Sequence, residues 1–407
     1  MKIKSLLGRF IPSSSKTFHD KINELKSEIA RLFRFIKDAN DKTIKIYKNN
    51  QDKTAKLINE NNRLVKENNR LVKENKNFIR ETHNEIIKNL KPIENYIKQN
   101  IKPIPLYNNQ NKGFDIGLVS SFMDYRKQEN FEEMYLKLIS GLDAESRKTV
   151  THIHRRMELV VEGVKNIFTM EEQERLKYFS EHMGRNIFKL SDECFCMDEY
   201  MLPINNFLRS VFFDHCGIKQ IQNHEKIRDK HIIDAGAYIG DSMLVFSKYT
   251  HKKVHCFEAM SENYKLIEKT ILMNEVQNAV AINAGVGEKA GKEKFEFLDR
   301  GTGSKPSEQG TEEVEIVALD DYVEKHNLDI GLIKIDIEGA EQYCLNGAIK
   351  TITKQKPTLL ISIYHNPEQF YNIKPYLESL NLGYTFKIYK PAMGVILVET
   401  VLIAEVL

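Results

Sequence analysis

Ile233-Asp-Ala-Gly-Ala-Tyr-Ile-Gly-Asp-Ser242 is the stretch on which the fold turns. The run before it, His231-Ile-Ile-Asp234, is a short apolar segment that ends on an acid, as a buried strand does. Asp241 to Tyr249, after it, carries apolar residues at helical spacing. Strand, Gly-containing turn and helix N-terminus, in that order, make a cradle for a ligand. Gly236 lacks a Cβ and lets the backbone approach a ligand closely. Gly240 permits close packing as the helix begins, and the free N–H groups of the first helical turn face the ligand. The spacing G-x-x-x-G is common on its own; its place between a strand and a helix gives it meaning.

The same alternation continues to residue 405. Strands are expected at Lys253–Phe257, Ala279–Asn283, Leu332–Ile335 and Thr358–Tyr364, with closing strands at Tyr384–Tyr389 and Val395–Glu405. Helices are expected at Glu262–Met273, Leu319–His326, from Gly339 to Leu345, and at Pro367–Leu380. Lys294–Leu298 and Glu313–Val317 read as an inserted hairpin. Alternating strands and helices predict an α/β domain with a doubly wound, mostly parallel, Rossmann-like sheet over residues 229–407. Ligands of such sheets bind at the carboxyl ends of the strands, at the switch point.

A dinucleotide site would present G-x-G-x-x-G to a pyrophosphate. Here Gly236 is followed by Ala237 and Tyr238, and Asp234 places an acid where phosphate would be repelled. A cationic ligand without phosphate, S-adenosylmethionine (SAM), suits these residues better. Glu258 ends the second strand at the distance where an acid accepts ribose hydroxyls. Asn283 and Gly285, at the end of the third, lie where adenine is contacted. The cofactor set is therefore Asp234, Gly236, Tyr238, Gly240, Asp241, Glu258, Asn283, Gly285 and Asp336.

From His231 onward the sequence resembles the FkbM family of SAM-dependent methyltransferases. The resemblance rests on the 233–241 loop, Cys256-Phe-Glu258, Ala318-Leu-Asp-Asp321 and Ile333-Lys-Ile-Asp-Ile-Glu-Gly-Ala-Glu341. The last looks like the family's K-x-D-x-E-G-x-E signature, with Lys334, Asp336, Glu338, Gly339 and Glu341 all present. The resemblance implies a class I methyltransferase fold and O-methylation of a sugar or another hydroxyl-bearing acceptor. It further implies a glycan or nucleotide-sugar substrate and a place in surface-polysaccharide synthesis.

Methyl transfer to a hydroxyl needs alignment of the acceptor oxygen and removal of its proton. The candidate bases are Asp336, Glu338 and His365, all at or after strand ends. Glu338 and Glu341 flank a helix N-terminus that favours carboxylates. Lys334, between Ile333 and Ile335 on a buried strand, is expected to pair with an acid. A divalent cation on Asp336 and a nearby acid could lower the acceptor's pKa instead; general base catalysis is the favoured reading, and no metal ligands are assigned. Tyr364 and Tyr384 could line an acceptor site, with core packing as their default role.

Two regions precede this domain. Residues 16–102 have no Gly or Pro between Phe18 and Lys91, and Asn61-Asn-Arg-Leu-Val-Lys-Glu67 repeats as residues 68–74. Leu57, Leu64, Leu71 and Phe78 form one stripe at a seven-residue period. This predicts a coiled-coil stalk that assembles a homo-oligomer, with Asn61, Asn68 and Asn75 beside the seam. Residues 114–228 read as mostly helical, with Asp143 as an N-cap, and are expected to flank or cap the crevice. His152 and His154, two apart, fall on different helix faces and are not expected to share a metal.

The 60 basic and 57 acidic side chains give a net charge of +3 with no basic stripe, so a nucleic-acid partner is not expected. Five cysteines, an odd and scattered set, fit a reducing compartment. Without a long apolar run, a cytoplasmic location is expected. The basic, amphipathic leader 1–15 offers at most a peripheral contact with the inner membrane. Two other functions compete: a coiled-coil scaffold with a non-catalytic SAM-binding domain, and an NAD-type oxidoreductase.

Overall fold

The computed structural model describes residues 112–407 apart from 164–167, 169, 299–302, 307–309, 311 and 392–394, together with 66, 67 and 70. The leader and nearly all of the expected stalk lie outside the described residues. The chain divides into two units between Lys102 and Pro103, and the second carries all the described strands.

Four helices come first: α1 (Lys112–Tyr125), α2 (Phe131–Ile139), α3 (Ala144–Val161) and α4 (Met170–Asn186). Asp143 caps α3, its Oδ1 accepting the Ser146 N–H at 2.7 Å. The Ser146 hydroxyl in turn accepts the Ile388 N–H at 3.0 Å, which ties α3 to the far edge of the main sheet. Strands β1 (Ile187–Ser191), β2 (Cys194–Met197) and β3 (Tyr200–Leu202) then form an antiparallel three-stranded sheet. The reading of 114–228 as mostly helical fits the helices but does not include these strands. Ile187-Phe-Lys-Leu and Cys194-Phe-Cys-Met have the apolar and aromatic content of strands, and tight turns join them, the second carrying Asp198 at φ 51°. Short helices α5 (Arg209–Phe212) and α6 (Glu225–Arg228), with a 3-10 turn at His215–Gln220 between them, complete the region.

The remainder alternates as expected. The main elements are β4 (His231–Ala235), α7 (Asp241–Phe246), β5 (Val254–Glu258), α8 (Ser261–Met273) and β6 (Ala279–Asn283). Next come β7 (Gly285–Gly287), β8 (Gly291–Leu298), β9 (Gly303–Pro306) and β10 (Glu312–Ala318). The chain continues through α9 (Leu319–Lys325), β11 (Ile330–Ile335), α10 (Glu341–Gly347), α11 (Ile349–Gln355) and β12 (Thr358–Ser362). It closes with α12 (Pro367–Ser379), β13 (Thr385–Tyr389) and β14 (Val401–Glu405).

Seven strands make the main sheet, in the order β13-β14-β12-β11-β4-β5-β6. All neighbours from β12 to β6 are parallel, while β14 runs antiparallel to both β12 and β13. This single reversed strand, inserted beside the last, is the topology of a class I methyltransferase sheet. The order reverses between β4 and β11, and a crevice opens there at the strand ends. The expected hairpin is β8 with β10, in a separate sheet of order β7-β10-β8-β9.

Strands buried on both faces read as unbroken apolar runs, and β5, β11, β12 and β14 are buried at every position. Their side chains alternate between two cores. Ile233, Ile333, Leu359 and Leu402 join the core built with α1–α3 and α12. Ile232, Leu332, Leu360 and Ile403 join the core built with β1–β3, α5 and α7. The residues before β4 thus cover both faces of the sheet: α1–α3 on one, the three-stranded sheet and its short helices on the other.

Candidate active site

The loop after β4 turns through three left-handed residues, Gly236 (φ 77°), Tyr238 (φ 49°) and Gly240 (φ 82°). Gly236 is glycine for a reason the sequence did not show. A Cβ there would lie 1.8 Å from the Asp336 carbonyl oxygen, so its bareness lets the ends of β4 and β11 touch. A Cβ on Gly240 would meet Met243 and Ile267 at 3.2 and 3.3 Å, the tight packing expected of a helix start.

Asp234 sits beneath this loop, fully buried. Its Oδ1 lies 3.1 Å from Lys334 Nζ, and its Oδ2 accepts the Ser242 hydroxyl at 2.5 Å. Lys334 also donates to the Gly236 carbonyl at 2.6 Å. Burial pulls the Lys334 pKa down, but the charges of Asp234 and Asp336 outweigh it and hold the ammonium form. The acid at the end of the first strand is therefore a partner for Lys334 within the fold; it does not line the crevice. The expectation that Lys334 is paired is met, and the pair braces the loop.

The crevice is lined by Gly236, Tyr238, Asp241, Glu258, Gly285, Asp336 and Glu338 from the expected set. Asp234, Gly240, Asn283 and His365 are not among the residues that line it. Glu258 takes hydrogen bonds from the N–H of Tyr238 (3.0 Å) and Met260 (2.9 Å), and from Asn263 Nδ2 (3.4 Å). These occupy about three of the four acceptor positions of a carboxylate. Asn283 Nδ2 donates to the carbonyls of Glu258 and Ala259 at 3.1 Å each, holding that turn. Burial raises Asp241 to about 7 and Glu258 to about 7. Glu399, which has no counterpart among the residues expected from sequence, completes the lining from the loop before β14. It has a left-handed backbone, φ 68°, and burial together with Asp336 raises it to about 7. Five carboxylates (Asp241, Glu258, Asp336, Glu338 and Glu399) thus line a crevice with one lysine, and that lysine is already paired with Asp234. Such a lining favours a cation and disfavours a pyrophosphate.

Residues 234–386 match the family model described as Methyltransferase FkbM domain. This stretch is thus similar to an FkbM methyltransferase domain. Among curated proteins none matches. A solved FkbM methyltransferase from Methylobacillus flagellatus KT is similar at 17% identity and a TM-score of 0.44. That match covers 68% of this chain and 58% of the other, so the chain spans under two thirds of its length. A putative methyltransferase from Streptococcus mutans, solved in complex with SAH, is similar at 14% identity, over 50% of this chain and all of that one, with a TM-score of 0.31. An rRNA methylase from Streptococcus thermophilus is similar at 16% identity, over 50% and 99%, with a TM-score of 0.33.

Within the matched residues the signature loop after β11 forms a second cluster. Glu338 (φ 55°) and Gly339 (φ 103°) are left-handed, turning the chain back into α10. Glu341, the first residue of α10, accepts the N–H of Ile337 at 3.0 Å and of Gly339 at 3.3 Å on Oε1. Gln369 Nε2 donates to the Gly339 carbonyl at 2.7 Å, and Asn366 caps α12 through the Gln369 N–H. His365 is clasped by three acids: Nδ1 lies 2.9 Å from Glu341 Oε1, and Nε2 lies 3.4 Å from Asp336 Oδ1 and 3.5 Å from Glu338 Oε2. Burial opposes the charge on His365, but Glu341, Asp336 and Glu338 raise it to about 9. Burial lifts Glu338 to about 7, against the pull of His365. Tyr364 lines the crevice and its hydroxyl lies 3.4 Å from Asp336 Oδ1. Tyr384 does not reach it; its hydroxyl donates to the Pro357 carbonyl at 2.8 Å, before the start of β12. Asp320, of the Ala318–Asp321 motif, accepts the N–H groups of Lys350 and Thr351 and caps α11.

Part of the crevice wall comes from outside the matched residues. Leu208, Val211 and Cys216 precede them, and Glu399 and Val401 follow. No spacing rule links these to the Gly loop, so only the fold brings them together. Farther off, His154 is buried and its Nε2 lies 2.9 Å from the Tyr371 hydroxyl, while His152 is exposed, so the two share no ligand. Among the described residues no helix is long and apolar enough to cross a membrane.

Proposed function

We propose that the protein is a SAM-dependent O-methyltransferase acting on a hydroxyl of a sugar or glycan, in surface-polysaccharide synthesis. The observation that carries the cofactor is the carboxylate-lined crevice at the switch point of an FkbM-like domain. The residues present fit SAM: Glu258 retains about one acceptor position for a ribose hydroxyl, and the acidic lining suits the sulfonium and amino groups. SAM supplies an electrophilic methyl on a sulfur leaving group. The chain's own task is to hold the acceptor oxygen in line and take its proton. Glu338 suits that role, because it lines the crevice and titrates near neutrality. Its carboxylate would take the hydroxyl proton, leaving the oxygen free to accept the methyl group that bound SAM would supply, with sulfur keeping the pair of the broken C–S bond. The acceptor hydroxyl would sit against Asp336, Tyr364 and Glu399. A sugar acceptor rests on the resemblance of the signature loop.

Calorimetric titration with S-adenosylhomocysteine tests the cofactor. The parent should bind in the micromolar range, and Glu258→Ala should weaken binding about 10-fold or more. Well-folded parent protein that binds nothing would end the enzyme reading in favour of the scaffold.

We further propose that residues 16–102 assemble the chain into a homodimer or homotrimer, with the catalytic unit in the cytoplasm or at the inner face of the membrane. The support is the literal heptad repeat in residues 61–74. Sedimentation velocity of the full chain should give a multiple of 47.4 kDa; a monomer at micromolar concentration would rule the stalk out as an assembly device.

A further inference from the structure

Asp336, Glu341 and His365 each place one donor atom within 4.8 Å of the other two. Among the described residues they are the group of His, Cys, Asp and Glu so disposed. Acidic clusters are common without metals, and a second observation separates this one. The His365 side chain is 8% exposed, and neither ring nitrogen has a hydrogen bond of acceptable direction. Glu341 is wholly buried and its Oε2 has no hydrogen-bond partner. Buried polar atoms in native folds are nearly always satisfied. Here orphaned atoms on two different segments, α10 and the loop after β12, belong to residues whose donor atoms gather within 4.8 Å of one another and of Asp336.

We propose that Asp336, Glu341 and His365 bind a divalent cation of the Mn2+ class; the role given to the ion rests on the methyltransferase reading. One nitrogen and two carboxylate oxygens form a borderline-to-hard donor set, suited to first-row divalent ions. Ligand bonds of about 2.0–2.2 Å place neighbouring donors about 3–4 Å apart. The 3.4 Å between Asp336 Oδ1 and His365 Nε2 already falls in that range, and a donor atom of Glu341 lies within 4.8 Å of the other two residues' donors. Asp336 lines the crevice, while Glu341 and His365 are not among the residues that line it. The ion would therefore be anchored in the wall with open positions toward the crevice. It would act there as a Lewis acid on the acceptor hydroxyl, lowering its pKa so that Glu338 can take the proton. The backing of this loop fits a ligand site. The Ile337 and Gly339 N–H groups fix Glu341, and Gln369 fixes Gly339, as outer partners orient metal ligands.

The test is Mn2+ alone, titrated into the full-length protein and followed by the loss of the free-ion EPR signal, with SAH calorimetry on the same samples. The parent should take up about one Mn2+ per chain. His365→Ala and Glu341→Gln should each lose at least about 10-fold in affinity, while His365→Ala still binds SAH, which shows that it is folded. Folded parent protein that takes up no Mn2+ overturns the site. So does uptake that both variants leave unchanged, which would mark the binding as adventitious. Uptake lost in the variants by a parent that fails to bind SAH would keep the metal site and sink the methyltransferase reading instead.

Discussion

Lys334 and Asp234 show how one residue pair can be misread in role and correctly read in kind. An acid ending the first strand is a reasonable cation binder on the sequence alone. In the fold, the lysine 100 positions later reaches it across the β4–β11 pairing, where Lys334 stands opposite Asp234. Only the register reveals that the charge is spent. Breaking a buried pair leaves an uncompensated charge, at a cost of about 3–5 kcal/mol. Lys334→Met should lose that much stability in urea unfolding. The double variant Asp234→Asn/Lys334→Met should recover most of it and still bind SAH weakly, because the Gly236 carbonyl has lost its donor. A single variant costing under about 1 kcal/mol would mean the pair is solvated in solution. Glu399 and Asn263 were invisible for a related reason: each enters the site from a loop or helix whose sequence has no motif.

At the scale of elements, the central strands β4, β5, β11 and β12 were legible to within a few positions because their burial is two-sided and their apolar runs unbroken, while the short β7 and β9 were not read. The boundaries moved where ends are polar. β14 begins at Val401, although the apolar run starts at Val395, because Glu399 and Thr400 turn the chain. Residues 187–202 were missed as strands because each is three to five residues long, below the length at which a period of two stands out. Before β4, Asp143 was legible as a cap because capping is local chemistry. That the same region covers opposite faces of one sheet was not legible, since nothing local encodes it.

Considered as a whole molecule, the protein holds an unusual store of buried acid. In the folded state Asp241 and Glu258 titrate near 7, about three units above unfolded carboxyls. Their neutral forms are favoured by folding, so stability is lost as pH rises from about 4 to about 7 and changes little through them above that. Burial also lifts the thiols of Cys196, Cys216, Cys256 and Cys344, which adds a loss of the same sign at still higher pH. The buried His154 and His255 and the half-buried His215, near 4, act in the opposite sense but only below about 6.5, where unfolded histidine titrates. Comparing variants separates the carboxyls from the histidines: the melting temperature of the unliganded parent, relative to that of Glu258→Gln, should fall between about pH 4.5 and 7 and level off above it. A relative value that stays flat over that window would show that this carboxyl is solvated in the absence of ligand.

The crevice wall is discontinuous in the chain, with Leu208, Val211 and Cys216 from one side of the matched segment and Glu399 and Val401 from the other. A chimera that exchanged residues 234–386 alone would transplant the Gly loop, Glu258 and the signature cluster, and leave those five residues with the host. Two proteins of this kind could therefore share almost the same domain and discriminate between different molecules, because part of what a guest meets is inherited separately from the machinery that acts on it.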